Sequence, residues 1–153
     1  MLANLSELPS PVQITGLKTQ ASEGRSGRYD WARLTCDAFE LGPDVRKAMS
    51  ECEVAIPESE FASQPRYVGY LDGEPVAVSS LVITEGLAGV YAVATLPVAR
   101  NRGIGTAMTL HVMREGKIRG AKAAVLQATD MGKTVYEGIG FSTAYEYELY
   151  LQT

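Results

Sequence analysis

The stretch ARNRGIGT, Ala99 to Thr106, sets two arginines and two glycines at the head of a helix-like run that begins at Ile104. Pro97 ends a strand-like run, VYAVAT, and Gly103 to Thr106 open the helix. At such a junction main-chain N–H groups have no intrahelical acceptor and the helix dipole is positive, so the chemistry on offer is anion binding. Gly103 and Gly105 carry no side chain to hold a diphosphate off the backbone, and Arg100 and Arg102 can add charge-assisted hydrogen bonds from the rim. Gly-x-Gly by itself describes a tight strand-to-helix turn equally well, and it is the flanking arginines that favour the anion. Two other phosphate motifs fail: no Gly-Lys pair follows as a P-loop requires, and Met108 stands where a dinucleotide fingerprint has its third glycine.

The elements that must position this turn follow from periodicity. Residues 1–28 mix Ser, Gly, Pro and Gln, with one strand-like piece, VQIT, and a turn-prone EGRSG, and they read as a tail or an ill-defined first strand ahead of a domain over 29–153. From Asp30 onward Trp31, Leu34, Thr35, Ala38 and Phe39 mark one face of a helix, and after Gly42-Pro43 VRKAMSEC reads as a second. Three strands follow, RYVGYL, PVAVSSLVI and GVYAVAT, joined by LDGEP and TEGLAG as an antiparallel meander whose last member is apolar enough to be central. The helix IGTAMTLHVMREGKIRG then delivers a strand AAVLQAT, which implies a β-α-β crossover. A short helix from Met131 to Glu137 and an alternating last strand, FSTAYEYELYL, complete the chain. The expected class is α/β, a mixed and mostly antiparallel sheet with helices on both faces.

Composition bounds the partners. A chain of 153 residues with 46% hydrophobic content suits one domain with a real core. The formal net charge of -4 and the lack of a Lys/Arg run argue against nucleic acid. Cys36 and Cys52 make neither a disulfide framework nor a zinc set, so no metal is expected and the setting is reduced. The opening MLANLSELPSPVQ lacks a basic and an apolar signal region, and no run of about eighteen apolar residues occurs, so a cytoplasmic location without membrane contact is expected.

From Arg66 to the end the chain resembles the GNAT superfamily of acyl-CoA-dependent acyltransferases. VATLPVARNRGIGT matches that family's R-x-x-G-x-G at Arg100, Gly103 and Gly105, and VYEGIGF, Val135 to Phe141, matches a second signature on the last short helix. The resemblance implies the GNAT fold and acetyl-CoA as co-substrate, with its diphosphate on Arg100, Asn101, Arg102, Gly103, Ile104, Gly105 and Thr106. It further implies that the backbone of Val93, Ala94 and Thr95 pairs with the pantetheine arm on a strand splayed from its neighbour. The small Ala92 and Ala94 suit such close approach and suit helix packing equally. Thr129 stands where many relatives place an asparagine near the pantetheine. Tyr136 falls where the family commonly has the acid that protonates the departing thiolate, a role a phenol of pKa about 10 can fill at neutral pH.

The reaction implied is direct attack of a primary amine, from a small molecule or a protein, on the acetyl thioester in a ternary complex, with proximity and main-chain donors to the oxyanion supplying the acceleration. The alternative is a noncatalytic acyl-CoA-binding module. The central strand offers no carboxylate as base; Glu40, Asp44 and Glu85 are candidates that read first as solvated surface charges, and the base is left unassigned. His111 reads as a structural histidine within the long helix, Cys36 as a small core residue, and Arg114, Lys117, Arg119 and Lys122 as a solvated basic helix end. By analogy alone, the last strand could pair two copies as a homodimer.

Overall fold

The computed structural model describes residues 1–148 and Tyr150. Its elements are β1 (Leu2–Asn4), β2 (Leu17–Ala21), α1 (Gly24–Ala38), α2 (Pro43–Ala55), the single turn α3 (Glu58–Phe61), β3 (Arg66–Leu71), β4 (Glu74–Thr84), β5 (Leu87–Thr95), α4 (Ile104–Ile118), β6 (Ala123–Val125) and α5 (Asp130–Glu137). Among the described residues the six strands form one sheet in the order β1-β6-β5-β4-β3-β2. Neighbours are antiparallel except β5 and β6, which the α4 crossover makes parallel. The meander forms as its turns dictate: Asp72-Gly73 and Glu85-Gly86 both take positive φ, the backbone of tight two-residue hairpins.

Each face of the sheet has its own helical cover. On one face α4 buries Ile104, Met108, Leu110 and Met113 with Leu81, Ala88 and Val90. Gly116 lets that helix approach closely, since a Cβ there would lie 2.5 Å from the Cβ of Ala88. On the other face α1 packs Trp31, Ala32 and Leu34 on Val68 and Val78, and the Trp31 indole donates to the Ser79 carbonyl at 3.1 Å. Across α1, α2 is pinned to β3 by a buried ion pair. Arg66 Nε and Nη2 donate to Glu53 Oε2 and Oε1 at 3.2 and 3.1 Å, and the guanidinium lies over Trp31 and Phe61.

Several expectations change. Residues 1–28 contain two strands on opposite edges of the sheet, with β1 beside β6 and β2 beside β3. VQIT is not one of them: it belongs to an irregular strap that crosses α4 between the two, and LKTQA forms the strand because Leu71 to Tyr67 offer it an open edge. EGRSG, expected as a turn, is the entry to α1, which starts at Gly24 instead of Asp30. The last strand, FSTAYEYELYL, is not formed among the described residues; Ser142 makes one bridge to Leu2, and 143–148 pair with no strand. Alternation alone cannot make a strand, and β1 is too short to continue the ladder beyond that bridge. Leu149 and Leu151, in the same stretch, lie outside the described residues. No helix among the described residues is long and apolar enough to cross a membrane.

Candidate active site

β5 pairs with β6 only from Leu87 to Gly89, against Ala123 to Val125. From Val90 to Thr95 it runs on beside β4 alone, leaving main-chain groups on its other side without a strand partner. A bulge bends β5 within this stretch. Tyr91 pairs with Ser80 and Ala94 with Val78, so Ala92 and Val93 together oppose Ser79. Ala92 takes φ 50, a left-handed backbone that costs an alanine about 1 kcal/mol and that clusters at functional sites.

A cleft of about 510 Å³ opens where the strands part. It brings together Ala92, Val93, Ala94 and Thr95 of β5, Arg100 and Gly105 of the turn, and Thr129 and Tyr136 of the last helical unit. Thr129 caps the start of α5 with its hydroxyl not engaged in a capping bond. Tyr136 packs edge-on to Phe141 at 6.0 Å, and burial pushes its phenol above the usual range, so the proton stays on. Gly132, one turn earlier, makes room for that ring: a Cβ there would come within 2.9 Å of Tyr136 Cε2.

The turn after β5 has the backbone of an anion seat. Asn101 and Gly103 both take positive φ, and Gly103 heads α4 without a side-chain cap. The first helical hydrogen bond comes from Ala107 to the Gly103 carbonyl at 3.0 Å, which leaves the N–H groups of Ile104, Gly105 and Thr106 without helical acceptors. Gly105 is informative in a second way. Its φ is not positive, and a Cβ there would meet nothing nearer than Thr95 Oγ1 at 4.0 Å, so the protein itself does not require a glycine. The backbone at the head of α4 is thus open to close approach from the cleft side.

The two arginines part company. Arg100 turns back into the protein, donating from Nε to the Thr95 carbonyl at 3.1 Å and from Nη2 to the Ala38 carbonyl at 2.9 Å, and pairing with Glu40 at 3.2 Å. It ties the end of α1 to the end of β5. Arg102 is exposed and has no ion pair among the described residues.

None of the three base candidates lines the cleft. Glu40 is held by Arg100, Asp44 sits in the first turn of α2, and Glu85 lies in the hairpin at the opposite end of β5. His111 is also elsewhere, stacked edge-on to Tyr67 at 4.7 Å on α4 with a buried Nε2 that has no partner among the described residues, and burial lowers its pKa. Cys36 is buried with its thiol pushed up by burial. Among the described residues no cluster of His, Cys, Asp and Glu could hold a metal ion.

Two aromatics, Phe39 and Tyr91, are among the lining residues that the sequence did not announce. Phe39, expected on the packed face of α1, is 48% exposed at the cleft mouth, because the helix ends at Ala38 and frees it. Tyr91, 42% exposed, lies with its ring folded back over Gly89, where a Cβ would be 2.5 Å from its Cε2. The glycine just before VYAVAT was the available signal.

The model of the acetyltransferase (GNAT) family matches residues 29–141. Among solved structures the fold is similar to a GCN5-related N-acetyltransferase from Kribbella flavida, with 22% identity and TM-score 0.69 over 92% of this chain and 52% of that one, so this chain spans about half its length. A predicted acetyltransferase from Clostridium acetobutylicum, solved with acetyl-CoA, matches at 16% identity and TM-score 0.69 over 89% of this chain and 96% of that one. Glucosamine-6-phosphate N-acetyltransferase from Arabidopsis thaliana matches at 16% identity and TM-score 0.69, covering 89% of this chain and 99% of that one. No curated protein matches by sequence.

Proposed function

Since this chain belongs to the GNAT acetyltransferase family, we propose that it moves the acetyl group of acetyl-CoA directly to a primary amine in a ternary complex. The observation that carries the reading is Gly105: a glycine that neither backbone angle nor packing demands, among free N–H groups at the head of a fifteen-residue helix. In this reading the diphosphate rests on Gly103 to Thr106, and Asn101 and Arg102 close over it from the rim. Arg100 acts as a brace that holds the turn against α1. The pantetheine arm pairs with the unpartnered backbone of Val93 to Thr95 and passes Thr129. The amine attacks the thioester carbon, the C–N bond forms as the C–S bond breaks, the nitrogen loses a proton to water, and Tyr136 gives its proton to the sulfur and regains one from solvent. The raised phenol pKa supports that role, because the group remains protonated throughout the neutral range.

The cleft lining has no carboxylate, which favours one second reading, a noncatalytic acyl-CoA-binding module. Calorimetry with acetyl-CoA and CoA, alongside thiol release over a panel of amines, separates the two. Binding that Gly103→Glu abolishes, with turnover that Tyr136→Phe lowers about a hundredfold, is expected for the enzyme. Binding without turnover on any amine identifies the module, and no binding at all overturns both.

A further inference from the structure

The acceptor must reach a thioester in a cleft whose lining carries three titratable groups, Tyr91 from β5, Arg100 from the turn and Tyr136 from α5. Two phenols and a guanidinium supply hydrogen-bond donors and no carboxylate. The ends of α1 and β6 add Ala38, Phe39, Leu126 and Gln127 to the lining, without a carboxylate or an imidazole. The one full charge in the lining is the Arg100 guanidinium, and the carboxylate nearest to it, that of Glu40, is held in a 3.2 Å pair with it outside the lining. A positioned aromatic, Tyr91 over Gly89, and the exposed Phe39 stand at the mouth instead.

From this lining we propose that the acceptor is a weakly basic α-amine beside a carbonyl, of the amino-acid amide or peptide N-terminus type, with an apolar or aromatic side chain seated on Tyr91 and Phe39. The inference rests on the acetyltransferase reading above. Without a carboxylate or an imidazole among the described residues that line the cleft, the amine must arrive uncharged. At pH 7 an α-amine of pKa about 7.7–8.0 is about one part in ten free base, whereas a lysine ε-amine of pKa about 10.4 is about one part in 2,500, a ratio of about 300. The more basic amine is the better nucleophile once free, which offsets part of that ratio. In the step itself the C–N bond forms, the C–S bond breaks, the nitrogen releases its proton to water, and Tyr136 protonates the sulfur and takes a proton back from water.

The test compares kcat/KM for L-phenylalaninamide, L-alaninamide, a heptapeptide beginning with Phe, and Nα-acetyl-L-lysinamide from pH 6 to 9, with acetyl-CoA binding followed by calorimetry. Phenylalaninamide should exceed the lysine amide at least about thirtyfold at pH 7, and the gap should narrow about tenfold by pH 9 as the lysine amine loses its proton. The profile for each α-amine should bend at the pKa of that amine and nowhere else, and that for the lysine amide should rise without a bend over the range. Tyr91→Ala should lower kcat/KM for phenylalaninamide about tenfold more than that for alaninamide, and an equal loss for both amides overturns the aromatic seat. Phe39→Ala should act in the same direction. The heptapeptide arm separates a small amide from a polypeptide terminus as the source of the same chemistry. Equal turnover of the lysine amide at pH 7, or an inflection near pH 6 that belongs to no substrate, overturns the inference while leaving the acetyltransferase reading intact. Failure to bind acetyl-CoA overturns that reading instead.

Discussion

Gly105 is where conformational need and ligand need come apart. Gly103 sits at φ 74, so an alanine there is strained by about 1 kcal/mol whatever binds nearby. Gly105 is under no such constraint, and alanine is the better helix former by up to about 1 kcal/mol. Gly105→Ala is therefore expected to leave the melting temperature unchanged or raise it, while weakening acetyl-CoA binding about tenfold or more, since the methyl stands where the phosphates approach the backbone. Thermal denaturation and calorimetry on the same preparation check both halves. The glycines and arginines of this turn were readable as a site because their meaning is local, a strand stop followed by a helix start. Which way each arginine faces was not readable: Arg100 is claimed by the carbonyls of Ala38 and Thr95, and the first of these is brought beside it only by the fold.

At the level of elements, the site depends on α1 staying in place, because Ala38 and Phe39 at its end wall the cleft. What clasps the neighbouring α2 to the sheet is the Arg66–Glu53 pair, whose side chains are only 10% and 11% exposed. Removing one partner strands a charge in a dry site. Glu53→Ala is expected to cost about 3 kcal/mol in urea unfolding, far more than removal of an exposed ion pair such as that of Lys133 with Glu146. The meander and α4 were legible because strand alternation, the Asp-Gly turn and helical spacing are short-range signals. The ion pair was not, because Glu53 and Arg66 meet across an intervening turn and each alone reads as a surface charge. The bulge at Ala92 was equally hidden, since nothing in the residues 90–95 says that two of them face a single partner.

For the molecule as a whole, the first twenty-one residues hold both margins of the sheet. β1 closes the β6 side, β2 closes the β3 side, and the strap between them lies over α4, where Arg114 donates to the Pro9 carbonyl and Ile14 comes near the Cβ position of Gly103. Leu5, 1% exposed, anchors the strap in the α4 core. Leu5→Ala is expected to cost about 2–5 kcal/mol, read as a lower urea midpoint, because the cavity it leaves lies between strap and helix. A three-residue strand has no periodicity to detect, and its partner lies some 120 residues along the chain, so this part of the fold was closed to a sequence reading. The strong alternation at 141–151 misled for the converse reason, a pattern without an edge long enough to use it. There is a consequence for biogenesis. On a ribosome, residues 2–4 must wait for residues 123–125 to leave the exit tunnel before their ladder can close, so this margin of the sheet is sealed only after the meander and α4 have emerged.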